Sequence, residues 1–264
     1  MRCLYREKKY ICGDYLEVDI YPVYKKQRGR SKKAKPTSEV QKKLNQRNAE
    51  RKLIRLLNTN FTKHDIRFDL TYDADHYPSS PEAAQKECQN FLRRVKYARA
   101  KRGLPALKYV FVTEIGKRSG RLHHHIVMSG GMDITELAEI WGRGYTSAKP
   151  LQFNDQGITG IAMYLIKEPI LGKRWCASRN LSKPTENERT GRLPQYQVRE
   201  WNNSGMDNKA EIERTYEGYT LSDIKPFYNQ VNGGYYVTLR LQVCNLLQKP
   251  KRERRSSNCK DRIT

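Results

Sequence analysis

KYVFVTEIGKRSGRLHHHIVM, Lys108 to Met128, is the stretch that decides the fold. KYVFVTEIG is rich in β-branched and aromatic residues, KRSG reads as a turn, and RLHHHIVM reads as a second strand, so the stretch predicts a β-hairpin. Three of the five histidines of the chain stand side by side in it. Successive side chains on a strand point to opposite faces, so His123 and His125 share one face while His124 shares the other with Leu122 and Ile126. The apolar neighbours mark the second face as the core side. His123 and His125 then project the same way, about 6.6 Å apart. Two imidazoles at that spacing can chelate one cation, although a pair of surface histidines with no ligand satisfies the same spacing. Glu114 lies nine residues before His123 and can sit across the ladder from the pair. Two histidines and a carboxylate on one face make a mixed N/O site with open positions. Such a site suits Mg²⁺, Mn²⁺ or another divalent Lewis acid better than a closed structural zinc.

Outward from the hairpin the pattern stays regular. IRFDLTY (Ile66 to Tyr72) alternates as a half-buried strand does, and PEAAQKECQNFLRRVKYARAKRG reads as a helix ending near Gly103. After the hairpin come a short helix over DITELAEIWGRG, a strand near Lys149 to Phe153, and a helix over QGITGIAMYLIKE that Pro169 ends. The order strand, helix, strand, strand, helix, strand, helix predicts an α+β fold: a central antiparallel sheet flanked by helices. Before it, YICGDYLEVDIYPVY (Tyr10 to Tyr24) reads as a strand or hairpin. Ser38 to Leu57 reads as a helix with Ser38 as its cap and a broken apolar stripe of Val40, Leu44, Leu53 and Leu57. Beyond Leu171 the pattern weakens; WCASRNLSKPTENERTGRLPQYQ reads as loop, with a strand pair near Tyr235 to Val243.

Composition narrows the partner. Lys and Arg number 51 against 28 Asp and Glu, a net charge of +23, which points to a polyanion and above all to nucleic acid. The basic run Lys25 to Pro36, with Lys32 and Lys33 at its centre, reads as an arm for DNA phosphates; a solvated linker has the same composition. The six cysteines form no C-x-x-C pair, which argues against a zinc finger and against a small disulfide framework. MRCLYREKKY lacks the apolar core of a signal peptide, and no stretch approaches the roughly 18 apolar residues of a membrane span. The expectation is a soluble cytoplasmic protein with no membrane partner. In IAMYLIKEP, Tyr164 and Lys167 are three residues apart and are neighbours on a helix surface. A partly buried tyrosine beside a snorkelling lysine is the ordinary meaning of such a pair.

Three motifs in this order resemble the HUH superfamily of single-strand endonucleases. The likeness is to rolling-circle replication initiators of phages and plasmids, including proteins related to filamentous phage gene II protein. FDLTYD (Phe68 to Asp73) resembles the first motif, RLHHHIVM the second with His123 and His125 as its pair, and YLIK (Tyr164 to Lys167) the third. Glu114 matches the upstream acidic metal ligand of the family. His124 departs from the pattern, since a large apolar residue is usual there, but it points inward in this register.

The resemblance implies a ferredoxin- or RRM-like core at residues 61–170. A basic N-terminal strand or arm and helix would occupy 1–60, an extension packing on the core 171–248, and a disordered basic tail 249–264. It implies a divalent cation, Mg²⁺ or Mn²⁺, on Glu114, His123 and His125. Tyr164 would attack the scissile phosphate to give a 5′-phosphotyrosine and a free 3′-OH, with Lys167 orienting the tyrosine or the phosphate. Thr71, Tyr72, Arg121, Lys32 and Lys33 would contact DNA. Single-stranded origin DNA and a host helicase and polymerase in a bacterial cytoplasm would be the partners, since G-x-x-x-x-G-K-[ST] is absent from the chain. The motif offers one tyrosine, so a second strand transfer would use another protomer of a homo-oligomer or a tyrosine from elsewhere. A transposase or relaxase with the same site, and a non-catalytic DNA-binding regulator, are the competing expectations.

Overall fold

The structure is a computed structural model that describes residues 4–24, 38–116, 119–166, 170, 173–230 and 232–244. The elements run β1 (Leu4–Cys12), β2 (Tyr15–Val23), α1 (Ser38–Asn60), β3 (Ile66–Leu70), α2 (Pro81–Lys101), β4 (Tyr109–Ile115), β5 (Leu122–Met128), α3 (Ile134–Trp141), β6 (Thr146–Pro150), α4 (Thr159–Leu165), β7 (Cys176–Ala177), β8 (Thr185–Thr190), α5 (Gln195–Ser204), α6 (Lys209–Thr215), β9 (Tyr219–Asn229) and β10 (Gly234–Val243). Among them no helix is long and apolar enough to cross a membrane.

Two antiparallel five-stranded sheets organise this α+β fold. The first has the order β6-β3-β5-β4-β7, and its centre is the hairpin read from Lys108 to Met128. One face buries Phe68, Leu70, Phe111, Ile126 and Met128 under α2 and α3. The sequence of α2 is suited to covering that face. Ser80 caps the helix by accepting from the Ala83 N–H at 3.2 Å, Pro81 starts it, and Ala84, Cys88, Phe91, Leu92 and Val95 form its buried stripe. The other face is divided. Val110, Val112 and Val127 pack against α1 and α4 through Leu53, Leu57, Ile158, Ala162 and Leu165, whereas the polar residues farther along the same strands are left for a site.

The second sheet, ordered β8-β1-β2-β10-β9, joins the two ends of the chain. The stretch after Leu171 therefore contains more regular structure than its pattern indicates. Strand β8 lies at an edge with every residue exposed, so no apolar alternation betrays it. Helices α5 and α6 are short, and their signal is confined to Val198, Trp201 and Ile212, which cover Tyr5, Val18, Leu239 and Leu241. The tail 249–264, the arm Lys25 to Pro36, and the side chains of Ser38 and Val40 lie outside the described residues.

Helix α1 lies between the sheets. Leu53 and Leu57 face the first, whereas Arg51 and Arg55 reach Glu17 and Asp19 on β2 of the second. Glu17 is fully buried, with Arg55 Nη2 at 2.6 Å and Arg51 Nε at 2.9 Å from its Oε1. Arg55 also lies 3.3 Å from the centre of the Tyr10 ring. Burial pushes the Glu17 carboxyl up, but the two guanidinium groups outweigh it and hold the group below its ordinary range. A depressed carboxyl stabilises the fold above its unfolded value, about 4.3, and that contribution fades as the pH falls through the folded value. Arg55→Leu should cost about 3 kcal/mol of unfolding free energy at neutral pH, read by urea titration. Glu17→Gln should flatten the acid limb of the stability curve; wild-type behaviour in both variants would show that the pair does not tie the helix to the sheet.

Candidate active site

Strand register assembles the site. In the β4–β5 ladder Glu114 stands directly opposite His123 and Val112 opposite His125, while in the β3–β5 ladder Asp69 stands opposite His125. Alternation then puts Arg67, Asp69, Glu114, His123 and His125 on one face. Glu114 Oε1 is 2.8 Å from His123 Nε2 and 3.2 Å from His125 Nε2. One ligand atom from each of these three residues falls within 4.8 Å of the others. The fold thus brings Glu114, His123 and His125 together.

His124 goes to the opposite face, fully buried among Tyr72, Phe111 and Trp141. Its Nε2 is 2.8 Å from Tyr72 Oη and its Nδ1 is 2.9 Å from Thr113 Oγ1. Tyr72 Oη also donates to the Ala84 carbonyl at 3.2 Å, so the consistent arrangement has His124 donating from Nε2 and accepting at Nδ1. Burial, and secondarily the two flanking histidines, lower its pKa to about 3, so it is a neutral polar strut in the core.

Two residues that the sequence reading did not single out complete this face of the sheet. Asp69 Oδ1 lies 2.6 Å from His125 Nδ1, and Arg67 bonds Asp69 through Nε at 2.9 Å and Nη2 at 2.7 Å. Asp69 accepts the Nδ1 proton and leaves Nε2 of His125 facing Glu114. Burial lowers the His125 pKa, but the hydrogen bonds and charges of Asp69 and Glu114 outweigh it and the net shift is upward. Burial raises the Asp69 carboxyl, and the bonds to His125 and Arg67 bring it below its ordinary range. The sequence signal was the alternation in IRFDL, which sets Arg67 and Asp69 opposite Phe68 and Leu70. What it lacked was the partner strand.

Tyr164 approaches from α4. Ala162 and Leu165 bury their side of that helix, which leaves Tyr164 39% exposed at its edge. Its Oη is 3.2 Å from His125 Nε2, and the Arg67 guanidinium lies 4.3 Å from its ring centre. Lys167, Lys32 and Lys33 fall outside the described residues. The DNA-contact candidates divide. Thr71 uses its hydroxyl to donate to the Tyr145 carbonyl at 2.9 Å. Tyr72 is a core residue bonded to His124, so its ring is not presented to a base. Arg121 is exposed, but Nη2 donates to the Tyr72 carbonyl at 2.9 Å and its guanidinium lies over Tyr77. Tyr145, at 74% exposure, is the open aromatic beside this edge.

The donor set fits a divalent cation. Two imidazole nitrogens and one carboxylate oxygen converge, and one imidazole is oriented by a second carboxylate. An antiparallel sheet with this cluster and a tyrosine at its edge is consistent with the HUH class of endonuclease folds. Residues 65–169, which run from the start of β3 past α4, match the family of replication-associated proteins of the ORF2 and gene II protein type. The matched segment contains the Glu114, His123 and His125 cluster and Tyr164. No curated protein and no solved structure matches the chain significantly. The second sheet lies outside the matched segment.

Two substitutions separate the faces. Asp69→Asn should weaken Mn²⁺ binding by about 10- to 100-fold in calorimetry with little loss of stability. His124→Ala should lower the unfolding free energy by about 2–4 kcal/mol while Mn²⁺ affinity stays near wild type. A reversed pattern would exchange the roles assigned to the two residues.

Proposed function

We propose that the protein nicks and rejoins single-stranded origin DNA to start rolling-circle replication, with Tyr164 as the nucleophile. The observation that carries this is the approach of Tyr164 Oη to within 3.2 Å of His125 Nε2, at the edge of the Glu114, His123 and His125 cluster. A tyrosine hydroxyl is a weak nucleophile at neutral pH and needs a polarised phosphate to attack. A divalent cation, Mg²⁺ or Mn²⁺, held by Glu114, His123 and His125 would supply that polarisation as a Lewis acid.

The chain's own residues do the rest. Arg67 holds the Tyr164 ring from one side, and Asp69 keeps both Arg67 and His125 in place. As Tyr164 Oη bonds to phosphorus, its proton passes to water at the exposed edge, the P–O3′ bond breaks, and the 3′ oxygen takes up a proton. The 5′ end stays on Tyr164, and the free 3′-OH is the primer for a host polymerase. Attack of a 3′-OH on the phosphotyrosine reverses the step; one phosphodiester is exchanged for another, so no ATP is consumed. A host helicase opens the duplex. The +23 net charge supports backbone binding that weakens steeply with salt.

Incubation with single-stranded origin DNA and Mn²⁺ or Mg²⁺ should give a protein–DNA adduct that survives SDS. Tyr164→Phe should reduce it to background and EDTA should prevent it. His123→Ala or His125→Ala should lower cleavage by about 100-fold or more while leaving DNA affinity within a few-fold. Equal labelling of wild type and Tyr164→Phe would remove Tyr164 from the reaction. DNA binding without cleavage in any metal would favour a non-catalytic regulator.

A further inference from the structure

The sheet face that carries the metal cluster continues beyond Arg67 into a cleft of about 770 Å³. Arg67 on β3 and Lys149 on β6 are direct cross-strand partners, so their side chains leave the sheet together along one wall. The facing wall is the turn after β6, where Phe153 is 40% exposed and Asn154 is exposed beside it. The first turn of α4 closes the third side with Gly160. Arg67 belongs to both places: its guanidinium lies over the Tyr164 ring and its side chain lines the cleft.

Gly160 is the residue that folding does not explain. Inside a helix glycine is less favourable than alanine, and it is usually kept for a positive φ or for a close approach. Gly160 is not among the positive-φ glycines, and beyond its chain neighbours and its own helix backbone a Cβ added to it would meet no atom within 4 Å. Neither backbone nor packing requires it. It stands four residues before Tyr164, on the same face of the helix. Gly160 lines the cleft, and a side chain there would project into it.

We infer that this cleft seats a nucleotide flanking the scissile phosphate. A backbone phosphate would lie against Lys149 and Arg67, the base would stack on Phe153, and the Asn154 amide would meet the base edge. The chemistry matches part by part: cations for phosphate, an aromatic face for a base, and an amide for hydrogen-bonding groups. The volume lies within the range of sites that enclose small ligands. The assignment rests on the nicking proposal for the identity of its ligand, and it names where sequence next to the nick is read. Arg67 is already engaged with Asp69, so Lys149 is the cleaner probe of the phosphate contact.

The test uses the full chain and a short fluorescein-labelled single-stranded DNA pool of randomised sequence. Anisotropy in EDTA reads binding apart from cleavage. Phe153→Ala should raise Kd about fivefold or more. Gly160→Leu should do the same while raising the melting temperature, since leucine is the better helix former. Lys149→Ala should reduce the slope of log Kd against log salt by about one. Sequencing the pool members captured covalently with Mn²⁺ should show a base preference beside the nick that Phe153→Ala and Asn154→Ala flatten. Unchanged affinity and salt slope in all three binding variants overturn the cleft, and a preference that survives in both capture variants overturns its contact with the base. Weakened binding in the variants without covalent capture by wild type supports the cleft and sinks the nicking proposal. Capture by wild type with unaltered binding in the variants does the reverse.

Discussion

The register of three antiparallel strands is the constraint on which the rest depends. Glu114 opposite His123 and Asp69 opposite His125 are consequences of how β3, β5 and β4 align. A slip of one residue on β5 would turn every side chain to the other face, putting His124 on the open face and His123 and His125 into the core. The core resists that slip. Phe68, Phe111, Ile126 and Met128 fill the layer under α2, and His124 is held there by Tyr72 and Thr113. The polar strut in the core and the Glu114, His123 and His125 cluster outside it are two faces of one alignment.

Tyr164 depends on a second arrangement. Its helix is short, with seven residues, and is seated by packing of Ala162 and Leu165 against α1 and the sheet. Helix α1 is in turn fixed to the second sheet by the buried Glu17 and its two arginines. A sheet built from the two ends of the chain therefore braces the element that carries the proposed nucleophile, although it contributes no residue to the cluster. Arg67 closes the circuit from the other side, lying against Tyr164 and bonding the carboxylate that orients His125. The Tyr164 phenol is thereby held beside His125, and in the proposed reaction that placement would lower the entropy cost of its approach.

Much of this was legible in residue order. Local alternation was enough to separate His123 and His125 from His124, and the short turn between β4 and β5 brought Glu114 within reach. Asp69 and Arg67 were visible as polar residues on the open face of β3, but their roles depend on which strand β3 joins, and that pairing crosses more than fifty residues of chain. Tyr72 illustrates the converse. In FDLTYD it looks like an aromatic presented to DNA, yet it lies two residues past the end of β3, turns toward the core and pairs with His124. The second sheet was hardest to read, because an edge strand such as β8 is exposed throughout and one-sided helices leave only a few apolar residues as their mark. Gly160 carries its message only once its surroundings are known: in sequence it is a mild helix breaker, and in the fold it lines the cleft shared with Arg67 and Lys149.

Tyr164 Oη lies 3.2 Å from His125 Nε2, and the proposal is that it stands there because it takes up the DNA. Mass spectrometry of the nuclease-trimmed, proteolysed protein–DNA adduct tests it most directly, since it reports which side chain holds the nucleotide. The expected result is a nucleotide 5′-phosphate on the peptide containing Tyr164, formed only when Mn²⁺ or Mg²⁺ is present. A nucleotide on any other tyrosine, or on Tyr164 with no dependence on metal, would contradict it.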